Sequence, residues 1–296
     1  MHLSMHNWMR VEPLERTCER LASCGYESIE IMGEPEEYVD RATVRETLAL
    51  HGIRCWGSVT LMLGERDLVH ADADKRAASV DYVKKCVDLV SDLDGNELTI
   101  VPGLVGKTMP TAAAEQEWDW AVGGLREVYE HAGPKSVQLA LEPLNRFETY
   151  FINRGAQALA LAEAVGVDCG VCLDCFHMNI EEVDSLAAIR DAGPRLADFH
   201  IADSNRMAAG MGHFDWPAII AAVRAVGYDG ALTVEFVPSI DRTPVNPYPN
   251  ALETGPLDIS EGLSQFIEDH GSDVVTDEFY TSLVRSTSDT LLPLIS

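Results

Sequence analysis

Short apolar runs alternate with longer amphipathic stretches from one end of the chain to the other. Leu3 to Trp8, Ser28 to Met32, Ile53 to Thr60, Glu97 to Val101 and Val137 to Leu141 read as strands, as do Gly170 to Asp174, Leu196 to His200 and Ala231 to Glu235. Between them lie helical patterns. Leu14 to Ser23 is stopped by Gly25, and Thr43 to His51 by Gly52. Asp74 to Leu93 carries Val80, Val83, Val87 and Val90 on one face. Thr111 to His131 contains a fourth helix, and Asn153 caps a fifth that runs through Val165 to Gly166. A helix through Ile189, one from Trp216 to Val226 and a last one from Asp277 to Ile295 complete the series. Eight strand–helix alternations predict a closed parallel barrel, the (β/α)8 TIM barrel of the α/β class, as one domain over residues 1–296. The stretch Val237 to Val275 breaks the rhythm: it holds Pro238, Pro244, Pro247, Pro249 and Pro256 and little regular pattern beyond a short helix over Ser260 to Glu268. So long a connection, leaving the last strand, predicts a lid or an interface arm.

Right-handed crossovers place the C-terminal ends of all strands on one face, and four successive strands deliver a polar side chain there. Val137 to Leu141 runs straight into Glu142-Pro143; the next three strands end in Asp174, His200 and Glu235. An acid at the end of an apolar strand is costly to bury unless a metal, cation or substrate pairs with it. Strand parity brings Ala140, Cys172 and Thr233 inside with these groups, and also Asp198, which suits a group orienting its neighbour His200. Three carboxylates and one imidazole favour Mn²⁺, with Mg²⁺ or Co²⁺ as alternatives, over a closed structural zinc site.

Composition narrows the setting. Forty-eight acidic residues face 22 basic ones, a net charge of −26, and only five of the basic residues are lysines. Such a field repels nucleic acid and anionic membrane, and is suited to concentrated salt, so a halophilic protein is expected. The start, Met1 to Trp8, has neither the basic nor the apolar region of a signal peptide, and no apolar run approaches a membrane span, which predicts a cytoplasmic protein. The run Cys169, Cys172, Cys175 resembles a metal motif, but strand alternation sends Cys172 to the opposite face, so the three read as buried small residues.

The motifs Glu-Pro-Leu-Asn-Arg-Phe-Glu at 142–148, Phe-His-Met-Asn-Ile-Glu-Glu at 176–182, His-Ile-Ala-Asp-Ser-Asn-Arg at 200–206 and Gly-His-Phe-Asp-Trp at 212–216 resemble the ketose 3-epimerases, the tagatose and allulose 3-epimerase group of the xylose isomerase-like barrels. The likeness is dense from about Gln138 to Val237. It implies Glu142, Asp174, His200 and Glu235 as ligands of a divalent metal, with Glu142 and Glu235 also the catalytic acid and base. Glu148, His177 and Arg206 would hold a ketose near its C1–C2 end, with Trp8 and Ser58 as wall residues and His213 as a loop support. It implies inversion at C3 of a free ketose through an enediolate, in a homo-oligomer, dimer or tetramer. An aldose–ketose isomerase, or a keto-inositol isomerase or dehydratase, is the alternative on the same barrel. A nuclease of abasic DNA would want a basic face, and a sugar-binding protein has no need of a metal flanked by two acids. Departures from the family pattern are Cys175 where Thr is expected, Asp198 where a histidine is common, and Ala208-Ala209-Gly210 in place of a proline turn.

Overall fold

The computed structural model describes residues 1–10, 12–252 and 274–296. Strands and helices alternate as β1 (His2–Met5), α1 (Leu14–Ser23), β2 (Ser28–Gly33), α2 (Arg41–Leu50), β3 (Arg54–Thr60), α3 (Ala73–Asp92), β4 (Glu97–Ile100) and α4 (Ala114–Ala132). There follow β5 (Gln138–Leu141), α5 (Gly155–Val165), β6 (Gly170–Asp174), α6 (Cys175–Glu181) and α7 (Ser185–Ala192). The chain then continues through β7 (Leu196–Ile201), α8 (Trp216–Ala225), β8 (Ala231–Val234) and α9 (Asp277–Ile295). The eight strands form one sheet in the order β1-β8-β7-β6-β5-β4-β3-β2, every pairing parallel. A parallel bridge between His6 and Glu30 closes β1 onto β2, completing a TIM barrel.

Local chemistry sets the boundaries. Asp40, Asp184 and Asp215 cap α2, α7 and α8 by accepting from Thr43, Ala187 and Ala218 backbone N–H groups at 3.1, 2.9 and 3.1 Å. Gly25 and Gly52 follow α1 and α2 at φ +81° and +67°, the left-handed conformation that ends a helix without a Cβ clash. Val80, Val83, Val87 and Val90 of α3 are buried against the sheet, as their spacing predicts.

The two faces of the sheet differ sharply. Leu3, Ile29, Leu98, Leu139, Val171, Phe199 and Leu232 join the large apolar layer beneath the helices. Inside the barrel, Ala140, Cys172 and Ala197 form a small cluster of their own beside buried polar groups. Two bulges adjust the register. β2 pairs with β3 as Ile29↔Cys55 and then Glu30↔Gly57, so Trp56 is an extra residue. β6 and β7 step likewise from Val171↔Leu196 to Cys172↔Asp198, around Ala197. Gly57 is required where it sits, because a Cβ there would meet the Glu97 carbonyl oxygen at 2.3 Å and Glu97 Oε2 at 2.9 Å. Gly57→Ala should therefore cost about 1–3 kcal/mol through overpacking, read as a lower urea midpoint at unchanged slope.

Some boundaries differ from the sequence pattern. The first strand ends at Met5 rather than Trp8, because Asn7 Oδ1 takes the Met32 N–H at 2.8 Å and residues Asn7–Met9 turn over the mouth. Asn153 does not cap α5: its amide donates to Leu144 and Thr149 carbonyls at 2.7 and 2.9 Å, and Arg154 holds the cap position. The helix expected to run through Ile189 is broken into α6 and α7, since Asp184 starts a new helix. All seven cysteines are buried free thiols. Beyond β8, Val237 N–H donates to the Arg206 carbonyl at 2.7 Å, and Leu252 bridges Val275 in antiparallel fashion. The helix expected at Ser260 to Glu268 lies outside the described residues. Among the described residues no helix is long and apolar enough to cross a membrane.

Candidate active site

Glu142 and Glu235 directly follow β5 and β8, each tied to the neighbouring strand through its backbone N–H, to the Ile100 carbonyl at 3.0 Å and the Ile201 carbonyl at 2.8 Å. Asp174 ends β6 and His200 lies in β7, paired in register with Asp174 and with Thr233. One ligand atom from each of these four buried side chains falls within 4.8 Å of all the others. His200 turns Nδ1 into the group, 3.0 Å from Glu142 Oε1 and 3.4 Å from Glu235 Oε2. Its other nitrogen, Nε2, is 3.0 Å from Asp198 Oδ2. Asp198 Oδ1 in turn accepts from Trp56 Nε1 at 3.2 Å and the Tyr228 hydroxyl at 3.3 Å. A carboxylate held this way keeps the proton on Nε2 and leaves the Nδ1 lone pair free.

Arg206 supplies positive charge from the side. Its Nη1 is 3.2 Å from both Asp174 oxygens and its Nη2 is 2.5 Å from Glu235 Oε1. The residue sits at φ +62°, a strained conformation for a side chain of this size, which aims the guanidinium at the carboxylates. Burial works against the Glu235 anion, yet Arg206, His200 and His6 hold its pKa well below the usual carboxylate range. Burial likewise opposes the imidazolium of His200, and Cys172, Glu142 and Glu30 hold its pKa well above the usual value. Three carboxylates and an imidazole nitrogen converging in so small a space fit a divalent cation bound by hard ligands.

The group opens into a cleft with two unlike walls. Glu142, Glu235, Glu148, His177 and Arg206 line one side, and Trp8, Val59, Leu61, Met62, Val101 and Leu144 are among those lining the other. Asn145 joins two of the expected sugar-binding residues: its Nδ2 donates to Glu148 Oε1 at 2.7 Å and lies 2.9 Å from His177 Nδ1. Because His177 Nδ1 also accepts the Asn145 backbone N–H at 3.2 Å, the ring proton belongs on Nε2. His213 pairs with Ser204 Oγ at 2.8 Å in an exposed loop, apart from the cleft. Ser58 is not among the residues lining the cleft. The bulge at Trp56 reverses parity along β3, so Ser58 stands beside Ile31 and Leu98 in the apolar layer, and Thr60 reaches the cleft instead.

Residues 18–255 match the model of the xylose isomerase-like TIM barrels. The chain belongs to that family. It is 34% identical over 223 residues to an L-ribulose 3-epimerase of Mesorhizobium japonicum, covering 75% of each chain. To a D-psicose 3-epimerase of Agrobacterium fabrum it is 33% identical over 229 residues, 73% of this chain and 77% of that protein. The solved structure of an L-ribulose 3-epimerase superposes with a TM-score of 0.82 at 25% identity, covering 99% of this chain and 94% of that one. The protein is thus an isomerase of the ketose 3-epimerase group.

Around the site of this epimerase lie groups that sequence reasoning passed over. Asn145 sits inside a quoted motif but was assigned no task. Glu30 and His6 face the same interior, Glu30 Oε2 lying 3.3 Å from His6 Nδ1 and 3.6 Å from His200 Nε2. An acid in the middle of the apolar run Ser28-Ile-Glu-Ile-Met32 was a signal of the same kind as the strand-end acids.

Proposed function

We propose that the protein inverts C3 of a free ketose with the help of a divalent metal, Mn²⁺ by preference, held by Glu142, Asp174, His200 and Glu235. The observation that carries this reading is the convergence of those four ligand atoms at the floor of a cleft flanked by Glu148, His177 and Arg206. A bound divalent ion supplies Lewis acidity that makes the C3 proton of a 2-ketose removable. Glu142 and Glu235 stand on strands separated by β6 and β7, with His200 Nδ1 between them, so each can serve one face of the sugar. One carboxylate takes the C3 proton, giving a planar enediolate, and the other returns a proton from the opposite side. His177 Nε2–H and Arg206 offer donors, and Glu148 an acceptor, to the carbonyl and hydroxyls near C1 and C2. Incubation with Mn²⁺ and a panel of ketohexoses and ketopentoses, followed by chromatographic separation of epimers, tests the reading. C3 epimers are expected; formation of an aldose, or turnover of none of the sugars, would overturn it.

Two further expectations belong to the same reading. With a net charge of −26, thermal stability should rise between ~0.1 M and molar KCl as screening shortens the Debye length from ~10 Å to ~3 Å. Melts that stay flat or fall with salt would rule out halophilic adaptation. The segment Val237 to Val275 leaves β8 at the mouth, and we assign it to covering the cleft or to a contact between subunits. Deleting Asp241 to Leu257 should then change KM or the elution volume, and a variant unchanged in both would leave the segment without such a role.

A further inference from the structure

We propose that the barrel interior beneath the strand-end ligands holds a second cation, a monovalent alkali ion, in a cage of Ser4, Glu30, Glu97, Thr99, Asp198 and Thr233. This inference rests on the barrel interior alone and stands or falls apart from the epimerase reaction. All six residues are fully or almost fully buried, the most exposed at 2%. Thr233 Oγ1 donates to Glu30 Oε1 across β1, and Thr99 Oγ1 lies 2.9 Å from Glu97 Oε1 and 3.4 Å from Asp198 Oδ2. Ser4 pairs in register with Thr233 and so faces the same interior. Glu97 pairs with Gly57, whose missing side chain leaves room for the carboxylate.

Two atoms in this cage want a ligand. Ser4 Oγ and Glu97 Oε2 are buried and have no hydrogen-bond partner, an arrangement that native interiors rarely leave unfilled. The charge is also unbalanced. Among the described residues, the basic groups within ion-pair distance of Glu30 and Asp198 are the imidazoles of His6 and His200, and Glu97 has none. Water could satisfy the hydrogen bonds but brings no charge. Burial, with Asp198 and Glu30 facing it, pushes the Glu97 carboxyl well above its usual range, so a proton is the rival counter-charge. A proton on Oε2, however, would be a donor without an acceptor, and would leave Ser4 Oγ unmatched. A cation accepts lone pairs from both. Hydroxyl and carboxylate oxygens select hard ions, and a sealed cage disfavours Mg²⁺, which keeps much of its water. Ala140, Cys172 and Ala197 keep the facing wall small.

The test compares thermal melts of the full chain in NaCl, KCl and choline chloride at equal ionic strength, each with saturating Mn²⁺ and again with EDTA. At about a hundredfold excess over its dissociation constant, the bound ion should raise Tm by roughly 5 °C or more in one alkali salt over choline. Glu97→Gln should abolish that increment while keeping the general response to ionic strength, and Ser4→Ala should weaken half-saturation about tenfold. Superimposable melts in all three salts would overturn the proposal and leave the cage to protons or water. An increment that survives Glu97→Gln would also overturn it, by placing the ion elsewhere. Should Glu97→Gln fail to fold, unchanged half-saturation in Ser4→Ala overturns the proposal equally.

Discussion

Replacing Glu142 or Glu235 by glutamine should lower kcat at least ~10²–10⁴-fold with metal saturating, because the change keeps the shape of the side chain but removes its capacity to carry a proton. Inverting a carbon through a planar intermediate requires proton delivery to both faces, and one carboxylate on one side of the sugar cannot provide it. The two variants should fail differently. In D₂O the wild-type product carries deuterium at C3. Each mutant should retain exchange of that proton from only one of the two epimers, the one whose C3–H faces the surviving glutamate. The Glu235 change has a second consequence: the ion pair from Arg206 Nη2, at 2.5 Å, loses its anionic partner, so some loss in KM is expected there and not at Glu142. Full epimerisation by Glu142→Gln with metal bound would leave that residue only a ligand role.

The second large effect is expected at Asp198, which touches neither the cleft nor, in the proposed arrangement, the metal. Its Oδ2 holds His200 Nε2 at 3.0 Å, while Trp56, Tyr228 and Thr99 offer donors to the rest of the carboxylate. Asp198→Asn must either turn its NH₂ group toward His200, driving the ring proton onto Nδ1, or turn it against the Trp56 and Tyr228 donors. The first outcome blocks the nitrogen that faces Glu142 and Glu235, and the second opposes donor to donor in a buried site. Metal affinity should therefore fall ~10–100-fold, the usual result of losing a group that orients a ligating histidine. Metal titration followed by the metal-dependent rise in Tm measures this without recourse to turnover. Wild-type affinity in Asp198→Asn would show that His200 is oriented by the barrel wall alone.

The eight alternating elements were legible in the sequence because apolar periodicity and capping residues are local signals, readable without knowing what packs against what. The strand-end residues Glu142, Asp174, His200 and Glu235 were legible for a related reason. An ionisable group closing an apolar strand is anomalous in itself, and the parallel barrel rule sends all such ends to one face. What the residues along one strand could not declare was the register between strands far apart in the chain. The extra residue Trp56 in β3 reverses the parity of everything after it, which moved Ser58 under the helices and brought Thr60 to the cleft. Tertiary structure alone decided that Arg206, in a left-handed conformation, would bridge Asp174 and Glu235. It also decided that Glu30 of β2, Glu97 of β4 and Asp198 of β7 would share one buried interior. Each of those acids looks ordinary in its own segment, and only closure of the barrel, which sets the distances between β1, β2, β4 and β7, makes their charge a problem that something must balance.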